Sequence, residues 1–317
     1  RFGSLSYEVY DGAAAKNALT GYLLRSPYAN VEALAALGRA HEQDAKVNGI
    51  GFYRDREMVA AMVATRENNY VSHMVPDVQA EWIDFMEQVY IGQSVSEQRG
   101  ASLHMLMPSQ QAGSIKEGWN AAAGRRVTVH HQTERQYIFY SDLVAPTLPP
   151  SRFDGHIKPA NDDVKQLVLS NMSGMSPQEI KALPPENVQA ASALLMQQGL
   201  HAVHGKGLIN VSAFYVQPIS ESGLLVSQSI LALNRDEVVD LPQAELNAGL
   251  RDELQDQFAA IARMADEQRR WVMFSMPANG KLPVAQVARR LELMEAGQLD
   301  CVVLGVKPKA AAATPAA

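Results

Sequence analysis

A single cysteine, Cys301, leaves the chain unable to form an internal disulfide or a cysteine-ligated metal cluster. It opens the apolar run Cys301-Val302-Val303-Leu304, where a thiol packs as a small hydrophobe. Long hydrophobic runs are missing too, since no stretch approaches the ~20 apolar residues that span a bilayer. The opening residues Arg1-Phe2-Gly3-Ser4 lack the character of a signal peptide. A cytoplasmic protein with no membrane partner is therefore expected. There is no excess of positive charge either. The net charge of −6 excludes coating of nucleic acid by bulk electrostatics, but it permits a local basic groove. The strong catalytic signatures are absent: no Walker loop, no dinucleotide glycine fingerprint, no Gly-x-Ser-x-Gly elbow and no His-Glu-x-x-His. No cofactor, metal or catalytic residue is implied, and the balance lies against an enzyme.

What is present is an ordinary globular composition. Hydrophobic residues at 47% of 317 positions can build a sizeable core, in one large domain or two smaller ones. Only the end, 307–317, lacks large apolar residues and reads as a flexible tail. Residues 5–10 alternate as a half-buried strand. Helices are expected over 13–24, over 30–41 behind an Asn30 cap, over 55–66 and over 78–90, with a turn at 48–51. The first third thus reads as mainly helical. Residues 125–140 alternate and are rich in β-formers, with a turn at 132–136, so a hairpin is expected. The proline-rich 145–150 marks a boundary. Beyond it, Ser176-Pro177-Gln178-Glu179 and Pro184-Pro185-Glu186 start helices. The clearest stretch, 184–241, reads as a helix, a Gly205-Lys206-Gly207 turn and two strands. A long amphipathic helix over 243–270 carries Leu246, Leu250, Leu254, Phe258 and Ile261 at three- to four-residue spacing. Strands at 271–276 and 299–306 flank a further helix at 283–296. No internal repeat is visible. The expected class is α+β: a helix-rich region 1–145 ending in the hairpin, an α+β region 151–306, and the tail.

Three groups of side chains are candidates for chemistry. Arg125, Arg126, His130, His131 and Arg135 interleave with Tyr137, Phe139 and Tyr140. Guanidinium groups that meet phosphates, beside rings that stack on bases, are the ingredients of a single-strand nucleic-acid surface. The same pattern also describes a solvated strand face opposite a packed one. Lys206, between two glycines, could contact an anion, while the glycines themselves read as turn residues with positive φ. His201 and His204 sit three apart at an expected helix end, where two imidazoles could approach one metal. No carboxylate partner is evident nearby, and the helix dipole alone favours cations there.

Within 194–231 the words Gly205-Lys206-Gly207-Leu208, Val211-Ser212-Ala213-Phe214 and Val226-Ser227-Gln228 resemble a stretch in the backbone subunits of type I-F CRISPR surveillance complexes. The likeness covers about a tenth of the chain and places Lys206, Ser227 and Gln228 inside it. It implies an RRM-like core, assembly along a guide RNA, and no cleavage by the subunit itself. The expected function is accordingly a non-catalytic subunit of an oligomeric cytoplasmic ribonucleoprotein in antiviral defence. It would bind RNA or single-stranded nucleic acid through Arg125, Arg126, His131, Arg135, Tyr137, Tyr140 and Lys206, with other subunits or copies of itself as partners. Two alternatives stand beside it: a scaffold protein of a mobile element or virion, and an enzyme of unrecognised class that uses the His201/His204 region.

Overall fold

The computed structural model describes residues 3–26, 30–40, 46–65, 68–91, 102–121, 127–140 (as backbone), 157–277, 286–288 and 293–306. They form a mixed α+β protein that divides into two compact units: residues 1–135 with 298–317, and residues 136–297. Among the described residues no helix is long and apolar enough to cross a membrane.

Unit 1 begins with β1 (Ser6–Asp11), α1 (Gly12–Arg25) and α2 (Val31–Gly38). The antiparallel strands β2 (Asn48–Arg54), β3 (Glu57–Ala64) and β4 (Asn69–Val71) follow. Next come α3 (Pro76–Phe85), which runs on as one π-helical turn over Met86–Tyr90, then β5 (Ser102–Pro108) and α4 (Ser109–Ala121). β1 pairs antiparallel with β2, and β4 pairs parallel with β5. On one face of the sheet, α3 and α4 bury Trp82, Phe85, Ile115 and Trp119 against Phe52, Met62 and Met105. The Trp82 and Trp119 rings meet edge-on at 5.6 Å. On the other face α1 lies against β2 so closely that a Cβ on Gly49 would stand 2.5 Å from Leu19 and 2.9 Å from Ala15. Glycine is what permits that approach.

β6 (Val127–Tyr140) contains the boundary between the units. Unit 2 then runs β7 (Lys158–Pro159), α5 (Asp162–Ser173), α6 (Pro177–Ala182) and α7 (Pro185–Gln197). The strands β8 (Leu200–His204), β9 (Ile209–Pro218) and β10 (Gly223–Leu233) follow, then α8 (Arg235–Val238), α9 (Gln243–Glu267) and β11 (Trp271–Pro277). β7 to β10 are antiparallel neighbours, and β10 pairs parallel with β11. α9 covers one face through Leu250, Leu254, Phe258 and Ile261. The opposite face packs Val164, Val168 and Leu195 on Leu200, Ala202, Val211 and Ala213. Residues 299–305 of the last strand, β12 (Met294–Val306), return to unit 1 and pair antiparallel with β5.

The two units thus share one order: a strand, helices, three antiparallel strands, a helix, and a strand parallel to the one before it. The sequence shows no internal repeat, yet the topology repeats.

Several expectations are corrected. Of the expected helix at 55–66, residues 55–65 are described and are not helical. Asp55 and Arg56 have φ of 51° and 70°, the left-handed pair of a two-residue hairpin turn. β3 (Glu57–Ala64) follows, and its continuous apolar run from Met58 is buried on both faces over Ala60–Val63 and so lacks strand alternation. The expected turn at 48–51 is the start of β2. Among the described residues, the first third therefore carries five strands alongside its helices. Residues 127–140 form one strand rather than a hairpin; 132–136 contain no glycine, asparagine or proline to close a tight turn.

Candidate functional site

β10 and β11 are in register from Gly223–Trp271 to Ser227–Ser275, and there the ladder ends. β10 continues to Leu233, paired with β9 along its other edge. A bulge between Gln228 and Ile230 inserts an extra residue and shifts the phase of the strand. Leu224 and Val226 before it, and Leu231 and Leu233 after it, all belong to the α9 side. Among the described residues no strand pairs with the β11-facing edge of β10 over 228–233. Parallel strands that part in this way open a cleft at their carboxyl ends, the usual place for a ligand in such sheets.

Apolar side chains line most of the cleft: Val226 from β10, Leu254, Phe258 and Ile261 from α9, and Phe274 and Met276 from β11. Phe258 and Phe274 meet edge-on at 4.5 Å. Three polar side chains interrupt this lining: Gln228, Gln257 and Ser275. The Gln228 amide nitrogen donates to Ser212 Oγ (2.9 Å), Ala213 O (3.0 Å) and Ile230 O (2.8 Å), which pins the bulge. Its Oε1 accepts from Gln257 Nε2 at 3.0 Å. Gln257 is 5% exposed, and its Oε1 has no hydrogen-bond partner. A buried acceptor left without a donor costs about 1–3 kcal/mol, so a ligand that brings an N–H into the cleft recovers that energy. No titratable side chain is among these lining residues.

α9 also fixes the turn that enters β9. The Glu253 carboxylate accepts from the Leu208 and Ile209 amides, each at 2.7 Å. A Cβ on Gly207 would stand 2.0 Å from Glu253 Oε1. Gly207 is therefore required for close approach. Neither Gly205 nor Gly207 has the positive φ expected of a turn glycine. The anion that these amides hold is the chain's own carboxylate.

The matching junction in unit 1 is built in the opposite way. β4 and β5 pair only over Asn69–Met105 and Tyr70–Leu106. Asn30, 1% exposed, caps α2 by accepting from Ala33 N (3.1 Å). Its Nδ2 donates to Val71 O (3.2 Å) and Leu106 O (3.1 Å), one from each strand. Gln111 at the start of α4, equally buried, donates to Ser72 O and accepts from Met74 N, both at 2.7 Å. Gln79 Nε2 then takes Met74 O at 3.0 Å. These bonds imitate those of an adjoining strand, so the backbone that leaves β4 is already satisfied. Alongside, the Tyr90 hydroxyl donates to Asn69 Oδ1 at 2.6 Å, and burial pushes its pKa above the ordinary tyrosine value.

Of the singled-out residues whose side chains are described, Gln228 lines the unit 2 cleft, whereas Lys206, His201 and His204 are not among its lining residues. Arg125 and Arg126 lie outside the described residues. His131, Arg135, Tyr137 and Tyr140 fall on β6, whose backbone alone is described. Lys206 is exposed on the β8–β9 turn. His201 and His204 are on strand β8 rather than a helix end. An offset of three puts them on opposite faces of a strand, with the His201 ring 2.7 Å from Gly199 O. Among the described residues no group of three or more His, Cys, Asp or Glu is placed to hold a metal. Of the three polar residues in the cleft, the sequence reading singles out only Gln228; Val226, Leu254, Phe258 and Ile261 enter it as strand and helix positions. Gln257 had a legible signal: it is a glutamine set within the apolar stripe Leu250, Leu254, Phe258, Ile261 of α9.

No protein-family description matches the sequence, and no curated protein matches it either. Solved structures do. A GCN5-related N-acetyltransferase from Sphaerobacter thermophilus is similar over 98% of this chain and 98% of its own, at 10% identity and a TM-score of 0.50. A tandem GNAT protein from the clavulanic acid biosynthesis pathway (12% identity, 96% of this chain and 99% of that one) and N-myristoyltransferase from Saccharomyces cerevisiae (9%, 97% and 81%) both have TM-scores of 0.47. The fold assignment rests on the first of the three. It corrects the resemblance to CRISPR backbone subunits: the likeness to the acetyltransferase runs the length of the chain, and the core is of that kind rather than RRM-like. The expectation of a non-catalytic RNA-binding subunit in an antiviral ribonucleoprotein goes with it.

Proposed function

We propose that the chain is an acyltransferase that takes a short acyl group from a pantetheine thioester, such as acetyl-CoA, held in the cleft of unit 2. The observation that carries this reading is the edge of β10 over 228–233, unpaired among the described residues, beside the unpartnered Gln257 Oε1. A pantetheine arm is an extended chain with two amide groups. It can add to a strand edge as a further strand would, through alternate backbone N–H and C=O groups. One of its N–H groups satisfies Gln257 Oε1. The apolar walls from Val226, Leu254, Phe258 and Phe274 exclude water from the thioester end. Leu254, Phe258, Ile261 and Phe274 crowd the lining, which suits a short acyl group better than a long chain. The fold shared with an N-acetyltransferase agrees with this reading and makes an amine the natural acceptor.

The thioester, when bound, supplies an activated carbonyl. The chain would contribute position, a dry apolar wall, and the backbone N–H groups of β10 as donors to the developing negative charge. The test is titration calorimetry of acetyl-CoA into the full chain, paired with thiol release in the presence of primary amines. Binding at one site per chain, weakened by Gln257→Leu, supports the reading. Neither heat nor thiol release at millimolar acetyl-CoA would sink it.

A further inference from the structure

We infer that the unit 2 cleft recognises its donor by the pantetheine arm alone, with no favourable contribution from the nucleotide end; this rests on the reading of that cleft as a thioester site. The open edge of β10 over 228–233 measures about 16 Å, at ~3.3 Å per residue. Its enclosed end is apolar and suits the acyl group. A donor lying along it therefore carries its far end past Leu233, towards the segment that leads into α9.

That segment is the reverse of a phosphate cradle. Diphosphates are held by glycine-rich turns, free amides at a helix start and nearby cations. Between Asn234 and Leu246 there is no glycine, and Arg235 stands alone against Asp236, Glu237, Asp240 and Glu245. All four carboxylates are exposed. Glu245 occupies the first turn of α9 and Asp236 and Glu237 that of α8, so the positive ends of both helices already face the chain's own acids. A nucleotide with several negative charges gains nothing from such a surface. The matching junction of unit 1 is filled by Asn30 and Gln111. The shared chemistry is thus an acylated pantetheine, whether it comes from free coenzyme A, from pantetheine itself or from a carrier that displays the arm.

The test compares three probes on the full chain by calorimetry and competition: acetyl-CoA, S-acetylpantetheine and adenosine 3′,5′-bisphosphate. The expected result is that the two thioesters bind within about threefold of each other, and that the bisphosphate fails to displace either at millimolar concentration. Asp236→Lys with Glu237→Lys should tighten acetyl-CoA several-fold at low salt and leave S-acetylpantetheine unmoved. If acetyl-CoA binds tenfold or more tightly than S-acetylpantetheine, or the bisphosphate competes, the inference is overturned while the cleft stands as a thioester site. If neither thioester binds, the reading of the cleft and this inference both fall.

Discussion

Unit 1 and unit 2 arrive at the same junction, a pair of parallel strands that part company, and finish it in opposite ways. In unit 1 the gap is closed by carboxamides: Asn30 ties Val71 to Leu106, and Gln111 satisfies Ser72 and Met74 as a neighbouring strand would. In unit 2 the carboxamides Gln228 and Gln257 bond to each other, and one acceptor is left over. The difference teaches that a shared topology supplies a place for a ligand but does not guarantee one. A few buried amides, correctly aimed, turn a site into a structural joint.

Breaking the closed junction should have the largest effect. Asn30→Ala strands two carbonyls and removes a helix cap, and should lower stability by about 3–4 kcal/mol. Chemical denaturation measures this; a loss under ~1 kcal/mol would mean that the junction is not held by Asn30. In unit 2 the comparable strut is Glu253, and Glu253→Ala should cost about 2–3 kcal/mol by releasing the Leu208 and Ile209 amides. Gln257→Leu sharpens the contrast. It removes an acceptor that has no partner, a gain, together with the donor to Gln228 Oε1, a loss, so stability of the free protein should change by no more than about 1 kcal/mol, while thioester affinity falls about tenfold. Equal losses in both would make Gln257 structural.

The smallest effect lies at a helix start. The Ser176 amide donates to the Glu179 carboxylate at 2.7 Å, and this bond, with that from the Ser176 side chain, holds the Glu179 pKa below its ordinary value. A carboxyl depressed by folding stabilises the helix above its unfolded pKa, and the benefit is lost as pH falls through the folded value. α6 should therefore fray on acidification below about pH 4, and Glu179→Gln should remove the pH dependence. Chemical shifts of Ile180 followed against pH would show it. α1 in unit 1 has no side-chain cap bond and should show no such transition of its own.

Much of unit 2 was legible in the sequence, and less of unit 1. The capping box at Ser176, the stripe on α9 and the strands now seen as β9, β10 and β11 follow from local rules that tertiary contacts did not override. β3 was misread because strands buried on both faces do not alternate. β8 was missed because five residues with histidines at 201 and 204 look like the tail of the preceding helix. The repeat was invisible because two units can share an order of elements at junctions closed by Asn30 and Gln111 in one and left open beside Gln257 in the other. The cleft escaped for a related reason. Its polar residues are neutral amides with no motif, and their meaning depends on which backbone groups they reach.

Amide hydrogen exchange on the full chain, with and without S-acetylpantetheine, tests the central claim most directly. The account predicts slowed exchange along 228–233 of β10 and no change along 71–74 after β4. Protection at 71–74, or at neither segment under saturating thioester, would contradict it.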